Sequence, residues 1–274
     1  MFEQEFMRNA LLAGTFIGLA CGLVGWFVVL RAQVFAGDAL SHVAFAGALG
    51  AAVLGIDIRA GLFAATILGG IAMGVLGDRA RADDVAIGSF FAWTLGLGVL
   101  FLSIFARQSS AGNGTAGVRV LFGSIFGLDA ADVRLAIVFG GVAAACLLAI
   151  ARPLLYSSLD APAAAAQGVP VRLLGFGFLA LVGLVAGEAS QAVGALLLLG
   201  LLAAPAGAAH RLTARPWLGL ALSAAFAIGS VWLGLALAYL VPALPPSTAI
   251  IGVAVAVYAL SLGQGARAAA PVPG

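Results

Sequence analysis

Apolar runs separated by short polar, glycine-rich or proline-rich connections follow one another along nearly the whole 274-residue chain. After an amphipathic start carrying Glu3, Glu5 and Arg8, the runs fall at about 10–30, 38–54, 61–77, 85–105, 133–151, 173–186, 192–209, 217–240 and 248–262. Most of them approach the ~20 residues that an α-helix needs to cross ~30 Å of hydrocarbon. No segment of about ten residues alternates polar and apolar positions as a strand of a membrane barrel would. The pattern predicts an all-α polytopic membrane protein of about nine transmembrane helices, with eight to ten allowed. Residues 1–264 read as a single transmembrane domain, and 265–274 as a disordered cytosolic tail.

The connections sharpen this picture. Residues 108–115 have the composition of a flexible loop. Residues 118–127 are too apolar for a free loop and too short to span, which predicts an interfacial or re-entrant helix. Glu188, Ser190 and Gln191 read as a polar break between the sixth and seventh runs, and place Glu188 as a solvated loop acid at the outer mouth. Between Arg152 and Arg172 lies a short punctuated helix. Asp160 is its N-cap, Pro162 sits in its first turn, Gly168 stops it, and Pro170 prevents continuation. Two turns, about 10 Å long, do not hold alone in water. The segment therefore docks, either on a partner or along the membrane interface.

Composition agrees that the solvent is lipid. The chain is 63% hydrophobic and 9% charged, with a mean hydropathy of +1.16, whereas a soluble domain carries about a quarter charged residues. Abundant glycine and alanine suit close helix packing in a bilayer. All thirteen basic residues are arginine. Without lysine there is neither a Walker-type phosphate loop nor a Schiff base, so the chain does not hydrolyse ATP that way. Cys21 and Cys146 stand singly in apolar runs and imply no disulfide framework. The arginines also give an orientation. With nine spans, Arg79, Arg81, Arg152, Arg172, Arg211, Arg215 and Arg267 share one side; Arg59, Arg107 and Arg119 run against the trend. The C-terminus and residues 159–168 are then cytosolic, and the N-terminus is outside.

Against this background residues 35–47 stand out, because Asp38 and His42 lie four apart in an apolar stretch. On a helix they share a face, one turn apart. Gly37 is a cheap break before them, which makes Asp38 a natural N-cap at a helix starting within the membrane. Carboxylate plus imidazole suits Zn²⁺ or Mn²⁺. Two ligands are too few for a closed site, and a symmetric dimer supplies four. The residues alone equally allow a helix cap and a packing histidine. Ser41 and His42, being adjacent, cannot act as a nucleophile–base dyad. His210, beside Arg211, reads as a cation at a helix C-terminus rather than a ligand.

These stretches together carry a resemblance. Phe27-Val28-Val29-Leu30-Arg31 followed by Gly37-Asp38-Ala39-Leu40-Ser41-His42 resembles the permease subunit of the manganese/zinc/iron-type ABC importers, a type II ABC importer-like permease. Asp84-Val85-Ala86-Ile87-Gly88, Leu121-Phe122-Gly123-Ser124-Ile125, Leu159-Asp160 through Ala166-Gln167-Gly168, Val193-Gly194-Ala195-Leu196-Leu197 and Ala204-Pro205-Ala206 are similar in order and spacing, from about Phe6 to Leu262. The chain departs at Arg31-Ala32-Gln33, where the family often has a second basic residue, and at Glu188, where the family has no fixed acid.

The resemblance implies a homodimer or heterodimer of permeases around a central pathway for a divalent metal ion, Zn²⁺ or Mn²⁺ and by extension Fe²⁺. Asp38 and His42 would contact the metal, and residues 118–127 would form a short helix near the outer mouth. Glu188 is a further candidate at the outer mouth that the residues suggest and the resemblance does not. Leu159, Asp160, Ala163, Ala164, Gln167 and Gly168 would form the coupling segment against a cytosolic ATPase. An extracytoplasmic metal-binding protein would dock above. The chain itself is a transport subunit, not an enzyme, and holds no permanent cofactor. Lipid is its surroundings, and no nucleic acid partner is expected. A permease for a metal chelate such as a siderophore is the nearest alternative, but it would want a wide apolar or aromatic pathway rather than paired Asp and His. An ion-coupled secondary carrier is the alternative of a different class; it would have no need of the capped cytosolic helix.

Overall fold

A computed structural model describes residues 4–76, 84–108, 123–195 and 198–268. Among the described residues all regular structure is helical: α1 (Glu5–Leu30), α2 (Val34–Leu54), α3 (Ile58–Leu76), α4 (Asp84–Gln108), a 3₁₀ turn (Ile125–Gly127), α5 (Ala130–Leu159), α6 (Ala161–Ala166), α7 (Val171–Val193), α8 (Leu198–Leu212), α9 (Pro216–Leu240) and α10 (Pro246–Ala268). Eight of these, all but α6 and α8, are long and apolar enough to cross a membrane. The chain is a multi-pass membrane protein. Helix α8 occupies the seventh apolar run but has only 15 residues, about 22 Å at 1.5 Å per residue.

Helix α1 is the axis of the bundle. It packs on α9, α5 and α8, and most of its residues from Ala13 to Val28 are buried. The approach to α9 is close enough for Ser223 Oγ to donate 2.6 Å to the Gly22 carbonyl. A second group forms beside it, with α2 packed on α3 and α4, and α3 on α7. Helix α7 also touches α1 and α5, and so joins the two groups. Helix α4 packs almost wholly on α2 and leaves Trp93, Val99 and Leu100 exposed, as suits a chain whose outer surface faces lipid or another protein.

Several boundaries differ from the sequence expectation, each for a packing reason. Helix α5 continues through Pro153 to Leu159, carried on by Ala151 and Leu154, both fully buried. Its start is firmly capped: Asp129 accepts from the amides of Ala131 and Asp132, and Asp132 accepts from the Asp129 amide. Helix α7 does not break at Glu188 but runs on to Val193. Ser190 satisfies its hydroxyl within the helix by donating to Ala186 O at 2.6 Å, and Ala189, Ala192 and Val193 are buried. Helix α10 reaches Ala268, so 265–268 are helical rather than tail.

Of the segment 118–127, residues 118–122 lie outside the described residues, as do 109–117. The described part is one 3₁₀ turn folded onto the bundle. Ser124 N donates to Gln191 O of α7, and Ile125 is buried in the core. Arg79 and Arg81 of the orientation argument, and residues 269–274 of the tail, also lie outside the described residues.

Candidate functional site

Helix α2 begins at Val34 behind Gln33, so Gly37 and Asp38 lie inside it and Asp38 is not its N-cap. The role of Gly37 is closeness. A Cβ there would stand 2.7 Å from Leu202 Cδ2 of α8, so packing outweighs the helix-breaking tendency of glycine. Asp38 and His42 are both half-buried and one turn apart on one face of α2. The His42 ring meets Phe91 of α4 edge-on at 5.0 Å, and Phe35, one turn below Asp38, meets the same ring at 6.1 Å. The acid and the histidine therefore stand on the α4 side of α2, at the border of the bundle and not in its middle. Ser41 turns away, donating to the Asp38 backbone carbonyl at 2.6 Å. Neither the Asp38 carboxylate nor the His42 imidazole has a hydrogen bond or ion pair among the described residues. Among those residues no three His, Cys, Asp or Glu side chains converge. One chain thus presents a carboxylate and an imidazole one turn apart, both half-buried.

The short helix α6 forms as the sequence predicts. Asp160 Oδ1 accepts from Ala163 N at 2.9 Å, proline stands in the first turn, and Gly168 closes the turn at φ +82°, where a side chain would be strained. Leu159, Asp160, Gln167 and Gly168 are exposed and Ala163 is half-buried, whereas Ala164 is fully buried and turned into the bundle. The exposed face instead includes Ala165 and Ala166. The start of α2 and the start of α6 lie at the same end of the molecule, since Arg31 Nη1 donates to Ser158 Oγ at 3.1 Å.

Glu188 does not join this site. It lies five residues from the α7 end remote from α6, while Asp38 lies near the α2 end beside α6. It is not a solvated acid: it is 6% exposed and its Oε2 has no hydrogen-bond partner. It lines a narrow gap with Ile17, Leu128, Asp132 and Gln191, and Asp132 is paired with Arg59. A carboxylate followed closely by Ser and Gln resembles a loop in sequence, and only the surrounding helices reveal it as buried. His210 lies in the last turn of α8, as expected, and is held there by neighbours. Its ring stacks on Trp26 at 4.7 Å, and Nε2 lies 2.9 Å from the Trp26 carbonyl. Phe91 and Arg31 are the two site-associated residues whose roles the spacing of polar residues did not reveal: one looks like any apolar position, the other like a span-closing charge.

The sequence model described as the ABC 3 transport family matches residues 3–264. The manganese transport system membrane protein MntC of Halalkalibacterium halodurans is 28% identical over 236 residues, covering 86% of this chain and 79% of that protein. The manganese import system permease protein ScaB of Streptococcus parasanguinis is 30% identical over 238 residues, covering 86% and 83%. Among solved structures, PsaBC from Streptococcus pneumoniae in complex with Fab superimposes with a TM-score of 0.82 at 27% identity, over 94% of this chain and 91% of that one.

Proposed function

The chain belongs to the ABC 3 transport family, and from that premise we propose that it is the permease subunit of an ATP-driven importer of a divalent metal ion, with Mn²⁺ or Zn²⁺ as cargo and Fe²⁺ a related one. The observation that carries the reading is the pair Asp38 and His42, unpartnered and open on the α4 side of α2. Manganese is favoured by the names of the relatives.

The chemistry is binding and release. A carboxylate oxygen and a neutral imidazole nitrogen suit a borderline divalent ion. Two ligands from one chain hold such an ion weakly. A second permease chain, identical or homologous, brings two more and completes a four-ligand site on the axis between them. Relative movement of the two chains separates the ligand pairs and frees the ion. Because the ligands come from the surface of each chain and not from its core, the site opens without unpacking either bundle.

The energy enters at α6. The exposed face of Leu159, Asp160, Ala165, Ala166, Gln167 and Gly168 docks on a separate cytosolic ATPase subunit. Helix α6 and the C-terminus are then cytosolic, a side favoured by Arg152, Arg172, Arg211, Arg215 and Arg267, and nine crossings, with α8 counted as one, put the N-terminus outside. An extracytoplasmic metal-binding protein delivers the ion at the opposite face.

The test is metal uptake by cells in which this chain replaces its own deleted copy. Asp38→Ala and His42→Ala each abolish uptake of the cargo metal while the chain persists in the membrane at its normal level. Normal uptake by either variant contradicts the transport site.

A further inference from the structure

Arg31 closes α1 yet does not reach into the membrane surface or the cytosol: it is only 6% exposed. Its guanidinium meets three other helices. Nε donates to Gln33 Oε1 at 3.1 Å, and Gln33, itself 2% exposed, is the N-cap of α2. Nη1 donates to Ser158 Oγ at 3.1 Å, in the last turn of α5. Cζ stands 5.4 Å from the centre of the Phe178 ring of α7, a cation–π distance. Ser158 is oriented for this, because its hydroxyl hydrogen goes to Leu154 O at 2.6 Å and leaves the oxygen to accept.

The placement matters because α6 is the short link between α5 and α7. Ser158 lies two residues before its cap, and Phe178 lies on the helix that follows it. One buried guanidinium therefore touches both flanks of α6. On its other side it touches Gln33, the last residue of the α1–α2 link, five residues before Asp38. That link is tight: Ala32 N donates to Val29 O at 3.1 Å and Gln33 N to Val28 O at 2.8 Å, and Ala32 adopts φ +53°, which L residues seldom take. So little slack remains between Arg31 and the start of α2. A continuous helix moves as a body, and Asp38 and His42 ride on it.

We propose that Arg31 is a positioning residue which transmits displacement of α6 to the Asp38–His42 face of α2. A pure capping role, favoured by the negative C-terminal end of α1, would be met by a solvated arginine and would need neither Ser158 nor Phe178. Coupling of this kind depends on a discrete contact that both sites bias. Arg31 is placed as that contact: pulling Ser158 and Phe178 with α6 changes where Gln33 is held.

The inference rests on the proposed function, and its test separates the two. The whole transporter, this chain with its ATPase and metal-binding protein, is reconstituted in proteoliposomes, and metal uptake and ATP hydrolysis are measured together. In Arg31→Gln, hydrolysis persists while metal carried per ATP falls about five-fold or more, the size of an ordinary coupling between sites. Ser158→Ala, which removes a single hydroxyl, lowers the same ratio in the same direction. The double variant falls no further than Arg31→Gln alone, because both changes break one contact. Equilibrium metal binding to each single variant stays at the wild-type value. An unchanged ratio in Ser158→Ala, or uptake and hydrolysis falling in parallel in Arg31→Gln, overturns the relay. If Arg31→Gln fails to assemble, Ser158→Ala decides alone. Absence of metal uptake by the wild-type transporter, or full uptake by Asp38→Ala, would instead remove the proposed function.

Discussion

Phe91 of α4 holds His42 of α2 edge-on, with ring centroids 5.0 Å apart and planes at 66°. The contact limits the rotamers of an imidazole that is proposed as a ligand and has no hydrogen-bond partner among the described residues. A ligand held in place by its neighbours binds metal more tightly than one left to rotate, and losing such support costs about 10- to 100-fold in affinity. Phe91→Ala should therefore weaken metal binding about ten-fold without removing either ligand. Calorimetric titration of the purified chain checks this; an unchanged affinity means the ring has no positioning role.

Adjacent alanines of helix α6 divide between an exposed face and a packed one. Ala165 and Ala166 face solvent, while Ala164 is fully buried. Ala165→Arg combined with Ala166→Arg should abolish co-purification with the ATPase while the chain keeps its melting temperature. Ala164→Arg should lower the melting temperature itself, since a buried unpaired charge is costly. Retained co-purification in the exposed double variant would remove α6 as the docking surface.

Glu188 invites the opposite expectation. Its buried Oε2 lacks a partner, and it lies at the end of α7 remote from α6. Glu188→Gln keeps the shape and removes the charge, so thermal stability should hold or rise and metal uptake should stay at the wild-type level. Loss of uptake with an intact fold would place Glu188 in the pathway after all.

The cap of α5 predicts a response to acid. The Asp132 amide, and after it the Ala131 amide and Arg59, hold the Asp129 carboxyl below its ordinary value of 3.8. A carboxyl lowered by folding stabilises the fold above its unfolded value, and that contribution is lost as pH falls through the folded value. Melting temperature in detergent should thus drop as pH is taken below 3.8, and Asp129→Asn should flatten that drop. An identical acid profile in the variant would show that the cap carries no such linkage.

Much of this was legible in sequence, and for definite reasons. Apolar runs near twenty residues leave little choice of architecture in a bilayer, so the helical spans emerge directly. The cap at Asp160 and the stop at Gly168 are local chemistry and formed where the residues dictate. The Asp38–His42 spacing needs only a helix to bring its side chains to one face. What stayed hidden depends on neighbours. Gly37 suggests a break unless Leu202 is known to press against it. Glu188, Ser190 and Gln191 suggest a loop unless Ser190 is seen bonding its own helix and Glu188 is seen enclosed by α1 and α5. The inward turn of Ala164 and the stacking of His210 on Trp26 are tertiary facts with no periodic signal.

If Asp38 and His42 form half of a shared metal site, the number of ions bound per chain reveals it. The purified permease dimer is equilibrated with Mn²⁺ and separately with Zn²⁺, desalted, and its metal and protein are quantified. The wild-type protein should hold one ion for every two permease chains, and the double variant Asp38→Asn, His42→Gln none. One ion bound per chain, or metal retained by the double variant, would contradict the shared site.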